Sequence, residues 1–247
     1  MRSWRTAPPA HASGADSTRT REAILRAGIK QFSERGAAGA RMEAIATEAG
    51  VNKALLHYYF RSKDGLYKAA LRTVFAGMQE HALAALNGPG SAGERLLRWS
   101  LQHFDRMASK REFQRLMHQE MMRVHQGGLG DLPPLIAEFF QPLLRRILAI
   151  VEDGVASGEL QALEPLQIFY SLFGLNVAYF VTAPVMRLAA SFEPFAPASL
   201  RRRREASITL LGLGLFCDRA HGCAVARSVL SAAPRPASAT VRRKRDL

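Results

Sequence analysis

Asn52, Lys53, Ala54, Leu55, His57 and Tyr58 crowd the start and outer side of a short run whose other side carries Leu56 and Phe60, four residues apart. Amide, ammonium, imidazole and phenol groups gathered there can hydrogen-bond phosphates and base edges, and Leu55 suits apolar contact with a thymine methyl. The preceding residues fit that chemistry. Met42, Ile45, Ala46 and Ala49 repeat at helical spacing, and Gly50 tolerates the left-handed conformation that ends a helix tightly. Val51 plugs the inside of the turn, and Asn52 caps the next helix through its side-chain oxygen. Helix, turn and helix over 41–60 predict a helix-turn-helix, whose second helix lies in a major groove with its first residues on base edges. Arg41 and Lys63 flank it as phosphate ligands.

Other elements must hold that motif. Asp16, Ser17 and Thr18 offer caps before a helix over 19–35, on which Ile24, Leu25, Gly28, Ile29 and Phe32 share a face and which Gly36 closes. From Lys63 to about Leu86 a longer helix carries Leu66, Leu71, Val74, Phe75 and Met78, and NGPGSAG at 87–93 breaks it. Further helices are expected at about 94–109, 111–126, 132–157, 165–188 and 199–219. GGLGDLPP, EDGVASGEL and FEPFAP separate them, and no alternating strand pattern occurs. The fold class is therefore all-α, a three-helix head and a larger helical body.

The run Ile45-Ala46-x-x-Ala49-Gly50-Val51, followed by Leu56-x-Tyr58-x-Phe60-x-x-Lys63-x-x-Leu66, resembles the TetR family of bacterial repressors. The likeness reaches back to Ile24-Leu25 and Phe32-x-x-x-Gly36 and covers roughly residues 18–78. It implies an all-helical homodimer with an N-terminal DNA-binding head and a divergent ligand-binding and dimerisation body. Three positions depart from the pattern. Arg41 stands where a threonine or serine usually starts the first motif helix, His57 where a tyrosine usually contacts phosphate, and Leu55 at a position usually small and polar. Operator preference should shift with them.

Charge is unevenly placed. The net charge is +13, but residues 1–68 hold 12 Lys/Arg against 6 Asp/Glu, residues 69–200 hold 11 against 12, and residues 201–247 hold 11 against 3. A basic head fits phosphate contact and counterion release. Cys217 and Cys223 alone exclude a disulfide framework and match no zinc spacing, which points to the reducing cytoplasm. Residues 1–17 read as a disordered arm, with Arg2 and Arg5 as candidates for a minor groove, and 221–247 as a disordered basic tail. Leu166–Met186 is uncharged and long enough to cross a membrane. Interrupting polar residues and the absence of a second such span favour a buried helix of a soluble dimer, with no membrane partner.

The body, 79–220, carries weaker signals. Phe139, Phe140 and Leu143 on one helix and Phe169, Phe173, Val177 and Phe180 on another can wall an apolar cavity, with Asn176 as its polar reader. Met117 and Met121 join them as adaptable contacts. His118, Glu120 and His125 could share a helix face, yet helical histidines are more often exposed, and no metal or other cofactor is expected. Gly174, Ala178, Ala206, Gly212 and Gly214 permit close helix approach, so the last two helices are expected to form the dimer interface. No phosphate loop, nucleophile elbow or paired nucleophile and base appears, which disfavours an enzyme. The expectation is a cytoplasmic homodimeric repressor that binds a palindromic DNA operator and answers to a small apolar or amphipathic effector. The alternatives are a basic architectural protein binding DNA without sequence choice and, ranked below it, a small-molecule enzyme using the body cavity.

Overall fold

The computed structural model describes residues 14–125, 132–190 and 192–233. The N-terminal arm with Arg2 and Arg5, the glycine run at 127–130 and the basic cluster at 242–245 lie outside the described residues. The chain divides into two compact units, Met1–Val74 with Glu112–Asp131, and Phe75–Arg111 with Leu132–Leu247. The boundary expected after residue 78 thus falls slightly earlier, and one later segment belongs with the head.

In the first unit, α1 (Gly14–Gly39), α2 (Met42–Ala49), α3 (Lys53–Phe60) and the start of α4 (Lys63–Leu86) enclose Ile24, Phe32, Ile45, Leu56, Leu66 and Leu71, all essentially inaccessible to solvent. Gly36 takes φ 70°, ψ 172° and so ends the regular part of α1 where the sequence places its stop. Lys30 and Gln31 both hold Glu48, Gln31 by a 2.7 Å hydrogen bond, which ties α1 to α2. Helix α6 (Arg111–His125) adds Phe113 and Leu116 to the core. It also supplies buried Glu120, which accepts from the Tyr67 hydroxyl and from Arg123 at 3.1 Å. Burial first, and that carboxylate second, push the Tyr67 phenol up. Glu120 therefore ties α6 to α4 within the first unit, and His118 stands exposed.

The second unit surrounds α5 (Ala92–Ser109). Ser91 caps it, its Oγ accepting from the Glu94 amide at 3.2 Å, and Leu96, Leu97, Trp99, Leu101 and Phe104 are buried along it. Around it pack α8 (Gln141–Ala156), α9 (Pro165–Ala189), α10 (Pro197–Leu215) and α11 (Arg219–Ala232). Leading into α8 are a single turn, α7 (Leu132–Leu135), and a π-helical turn, Ile136–Phe140. The Gln79 amide donates to the Phe139 carbonyl at 3.0 Å and satisfies backbone that the wider turn frees.

Two expectations are corrected here. The tail expected to be disordered from residue 221 instead forms α11 through Ala232, capped by Asp218, with Ala226 and Val229 buried. Alanine favours helix even where composition looks featureless. Gly212, assigned to a dimer interface, lies against Gly222 of α11: a Cβ at Gly212 would sit 2.7 Å from the Gly222 carbonyl oxygen. It is an intrachain contact. By contrast, a Cβ at Gly174 or Gly214 would meet nothing within 4 Å.

Candidate nucleic-acid interface and ligand cavity

Local hydrogen bonds build the reading helix. Gly50 adopts φ 69°, ψ 28°, its amide donating to the Thr47 carbonyl at 3.2 Å, while Val51 N–H reaches the Ala46 carbonyl at 3.0 Å. Asn52 then accepts from the Leu55 amide at 2.7 Å, which uses its oxygen as the α3 cap and leaves its NH2 free to turn outward. Arg41 occupies the α2 cap position in extended conformation and makes no side-chain cap bond. Its guanidinium is exposed.

The named residues of α3 divide into two sets. Lys53, Ala54, His57 and Tyr58 are exposed, Tyr58 the most at 78 %. Leu55 is half-buried, so part of it belongs to the head's own packing. The Lys53 ammonium pairs with Glu43 of α2, and that hydrogen bond is the main cause holding the Glu43 carboxyl below its usual value. His57 Nδ1 lies 3.0 Å from the Arg61 carbonyl oxygen, which can only accept, so Nδ1 carries the proton. In the neutral ring Nε2 is then an acceptor, and donation to a phosphate requires the imidazolium. Lys63 is half-buried, and its Nζ donates to the Ala38 and Ala40 carbonyls at 3.0 and 3.3 Å. It binds the unsatisfied carbonyl end of α1 within the head. The partnership of Lys53 with Glu43 has no short-range sequence signal, because it spans the turn between two helices.

The second unit contains a cavity of about 640 Å³, within the range that takes drug-sized molecules. Of the residues named from the sequence, Phe140, Leu143, Phe169 and Phe173 line it, joined by Met78 and Leu144. The other six candidates do not. Met117 and Met121 belong to α6 in the first unit, and Phe139 turns to Phe75 with ring centres 6.5 Å apart. Phe180 packs on Phe104 at 5.2 Å, seven residues and about 10 Å beyond Phe173 along α9. Val177 lies past the cavity on the same helix. Asn176 is wholly buried, its NH2 donating to the Ser100 carbonyl at 2.8 Å, and its amide oxygen has no partner among the described residues.

Much of the wall comes from α5, which sequence reading left out. Trp99, His103, Arg106 and Lys110, the residue that closes α5, follow one another at intervals of four, three and four and all line the cavity. That spacing is one stripe of a helix and is visible in the sequence. Trp99 stacks on His103 at 6.0 Å and on Phe169 at 6.2 Å, and His103 and Phe169 both stack on Phe173, at 5.0 and 5.4 Å. Burial first, and the nearby Arg106 second, lower His103 to about 4, so its imidazole is neutral at pH 7. Asp105 forms an ion pair with buried Arg204 of α10 at 3.0 Å; burial nonetheless pushes its carboxyl up.

Comparison with known proteins agrees with this two-part arrangement. Residues 24–70 match the family model for bacterial regulatory proteins of the tetR family, and residues 93–211 match that for the tetracyclin repressor-like C-terminal domain. The chain is 31 % identical over 174 residues to the HTH-type transcriptional regulator RutR of Escherichia coli K12, covering 66 % of this chain and 75 % of RutR. It is 40 % identical over 62 residues to the HTH-type transcriptional repressor NicS of Pseudomonas putida, covering 25 % of this chain and only 29 % of that repressor's length. A transcriptional regulator from Saccharomonospora viridis, solved in complex with choline, shares the fold with a TM-score of 0.64 at 18 % identity, covering 81 % of this chain and 100 % of that one. With a capped helix-turn-helix in one unit, a walled cavity in the other and both matched over most of their length, this chain belongs to the TetR family of bacterial transcriptional regulators.

Proposed function

We propose that the chain is a cytoplasmic homodimeric repressor that holds a palindromic operator with two copies of α3 and releases it when a small organic molecule fills the cavity. The observation that carries this reading is the pairing, in one chain, of an exposed capped α3 with a 640 Å³ apolar-walled cavity in a separate unit. Arg41, Lys53, Ala54, His57 and Tyr58 form the reading surface, and Asn52 and Leu55 set its start. Lys63 positions the head and reaches phosphate only by leaving the α1 carbonyls. The fold tolerates small ligands, as the choline complex of its structural relative illustrates.

Dimerisation through α9 and α10 is supported by apolar side chains that the single chain leaves in water. Tyr170, Val181, Val185, Leu188, Leu210 and Leu213 are all exposed, and the open positions Gly174 and Gly214 allow another helix to come close. A second chain covers such a surface in water, so the apolar length of α9 serves assembly. Ligand then acts by population shift between dimers whose heads do and do not match the half-site spacing.

Footprinting on the DNA upstream of the chain's own gene tests the reading. The expected result is a bounded protected region containing two symmetric half-sites about one helical turn, or a multiple of it, apart. Uniform coating without a boundary would make the protein a non-specific architectural binder instead.

A further inference from the structure

The cavity is graded along α5. Its Trp99 and His103 end is aromatic, completed by Phe169 and Phe173. Its Arg106 and Lys110 end is cationic, and seven residues separate His103 from Lys110, about 10 Å at the rise of an α-helix. The two lining carboxylates each hold an arginine, and one of these, Arg98 beside Trp99, lines the cavity itself. Glu94 holds Arg98 at 2.6 Å and Asp105 holds Arg204 at 3.0 Å. Glu80, exposed on α4, offsets part of the charge of Arg106, so Lys110 carries the other half of the cationic end.

We infer that the cavity takes a flat, conjugated organic anion, with its ring system against the Trp99–His103–Phe169–Phe173 stack and its carboxylate at Arg106 and Lys110. This deepens the effector reading above and rests on it for the ligand's regulatory role, though not for binding. Three features select the class. Aromatic rings favour offset-stacked partners over saturated chains of equal area. Trp99, His103, Phe169 and Phe173 stack within 27° of parallel, and the lining Phe140 meets Phe169 edge-on at 77°, so a flat ring can extend the stack beside Phe140. Cations closing the other end repel a positive ligand and give a carboxylate charge-assisted hydrogen bonds. His103, neutral at pH 7, joins the stack as a ring rather than as a third cation.

Four probes decide the class: 2-naphthoate, its neutral amide, octanoate and choline. Full-length protein carrying Trp4→Phe leaves Trp99 as the single tryptophan, so calorimetry and Trp99 fluorescence report together. The expected result is that 2-naphthoate binds at least about tenfold tighter than each of the others and quenches Trp99, the scale of one charge-assisted hydrogen bond. Lys110→Met and Arg106→Gln should each weaken 2-naphthoate by about tenfold and leave the amide unchanged. Lys110 is exposed, so that variant tests the charge without endangering the fold. The inference is overturned if the amide, octanoate or choline binds as tightly, if both variants leave 2-naphthoate untouched, or if none of the probes binds. Operator release is read separately. Release by a tighter-binding choline would sink the anion class, and by a tighter-binding octanoate the requirement for a conjugated ring; either would keep the effector reading. Binding of 2-naphthoate that depends on Lys110 but never affects DNA would confirm the anion site and sink that reading.

Discussion

Lys53 at the start of α3 and Glu43 in the first turn of α2 form an ion pair across the turn of the helix-turn-helix. Both side chains are more than half exposed, so the pair is worth little to stability and serves mainly to occupy the ammonium. A phosphate or guanine edge must compete with Glu43 for it. Glu43→Gln should therefore strengthen binding to duplex DNA and raise the salt slope by about one, while Lys53→Ala weakens it. Binding isotherms between low and physiological salt check this. Equal slopes in wild type and Glu43→Gln would show that Lys53 never reaches DNA.

Lys63 offers the opposite balance. Its ammonium satisfies two carbonyls at the end of α1, at 3.0 and 3.3 Å, from a half-buried position. Lys63→Met should lower stability by about 1–2 kcal/mol, the scale of one or two lost charge-assisted bonds. Denaturant titration reads that loss. DNA affinity should fall uniformly across sequences, because the change acts through the placing of α2 and α3. If stability held while affinity for all sequences fell, Lys63 would be a direct phosphate ligand.

The two glycines of α10 separate packing from assembly. Gly212→Ala drives a methyl against the Gly222 carbonyl, so it should cost roughly 1–3 kcal/mol of stability and leave the dimer intact. Gly214→Arg meets open space within the chain and should leave protomer stability unchanged while dissociating the dimer. Light scattering and thermal melts on both variants check the pair. A dimeric Gly214→Arg protein would move the interface away from that face.

The head was legible because its determinants act over a few residues. Gly50 ends α2 by its own backbone conformation, and Asn52 caps α3 through an amide three residues on. The cavity was only partly legible, since its wall combines Met78, Trp99, Phe140, Phe169 and Val229, which are far apart in sequence. Phe140, Leu143, Phe169 and Phe173 could be named from apolar spacing, but that spacing does not tell a cavity wall from ordinary core, and Phe180 and Val177 carry the same signal. The stripe Trp99, His103, Arg106 and Lys110 was readable by period, yet nothing local shows that the space opposite it is empty. Helix α11 was hidden by an alanine- and serine-rich composition, although Asp218 supplies its cap and Ala226 and Val229 bury its inner face. Glycine spacing likewise could not separate Gly212 from Gly214, because the choice depends on which neighbour each faces.

His103 gives the fold a pH dependence of definite sign. Its folded value is about 4, against about 6.5 for a histidine in an unfolded chain. Between these values the unfolded chain binds more protons, so stability falls as pH drops below about 6.5 and the loss levels off near 4. Asp105, raised by burial, works the other way over the acid end of that window. Glu43 and Glu48, both lowered by hydrogen bonds, lose their contributions only below about 4.5, their ordinary value. Replacing His103 with Phe keeps a ring for Trp99 and Phe173 to stack on and removes the titration. Thermal melts from pH 7.5 to 5 should therefore fall for wild type and fall less steeply for His103→Phe. Parallel curves would show that His103 is as easily protonated in the folded chain as in the unfolded one.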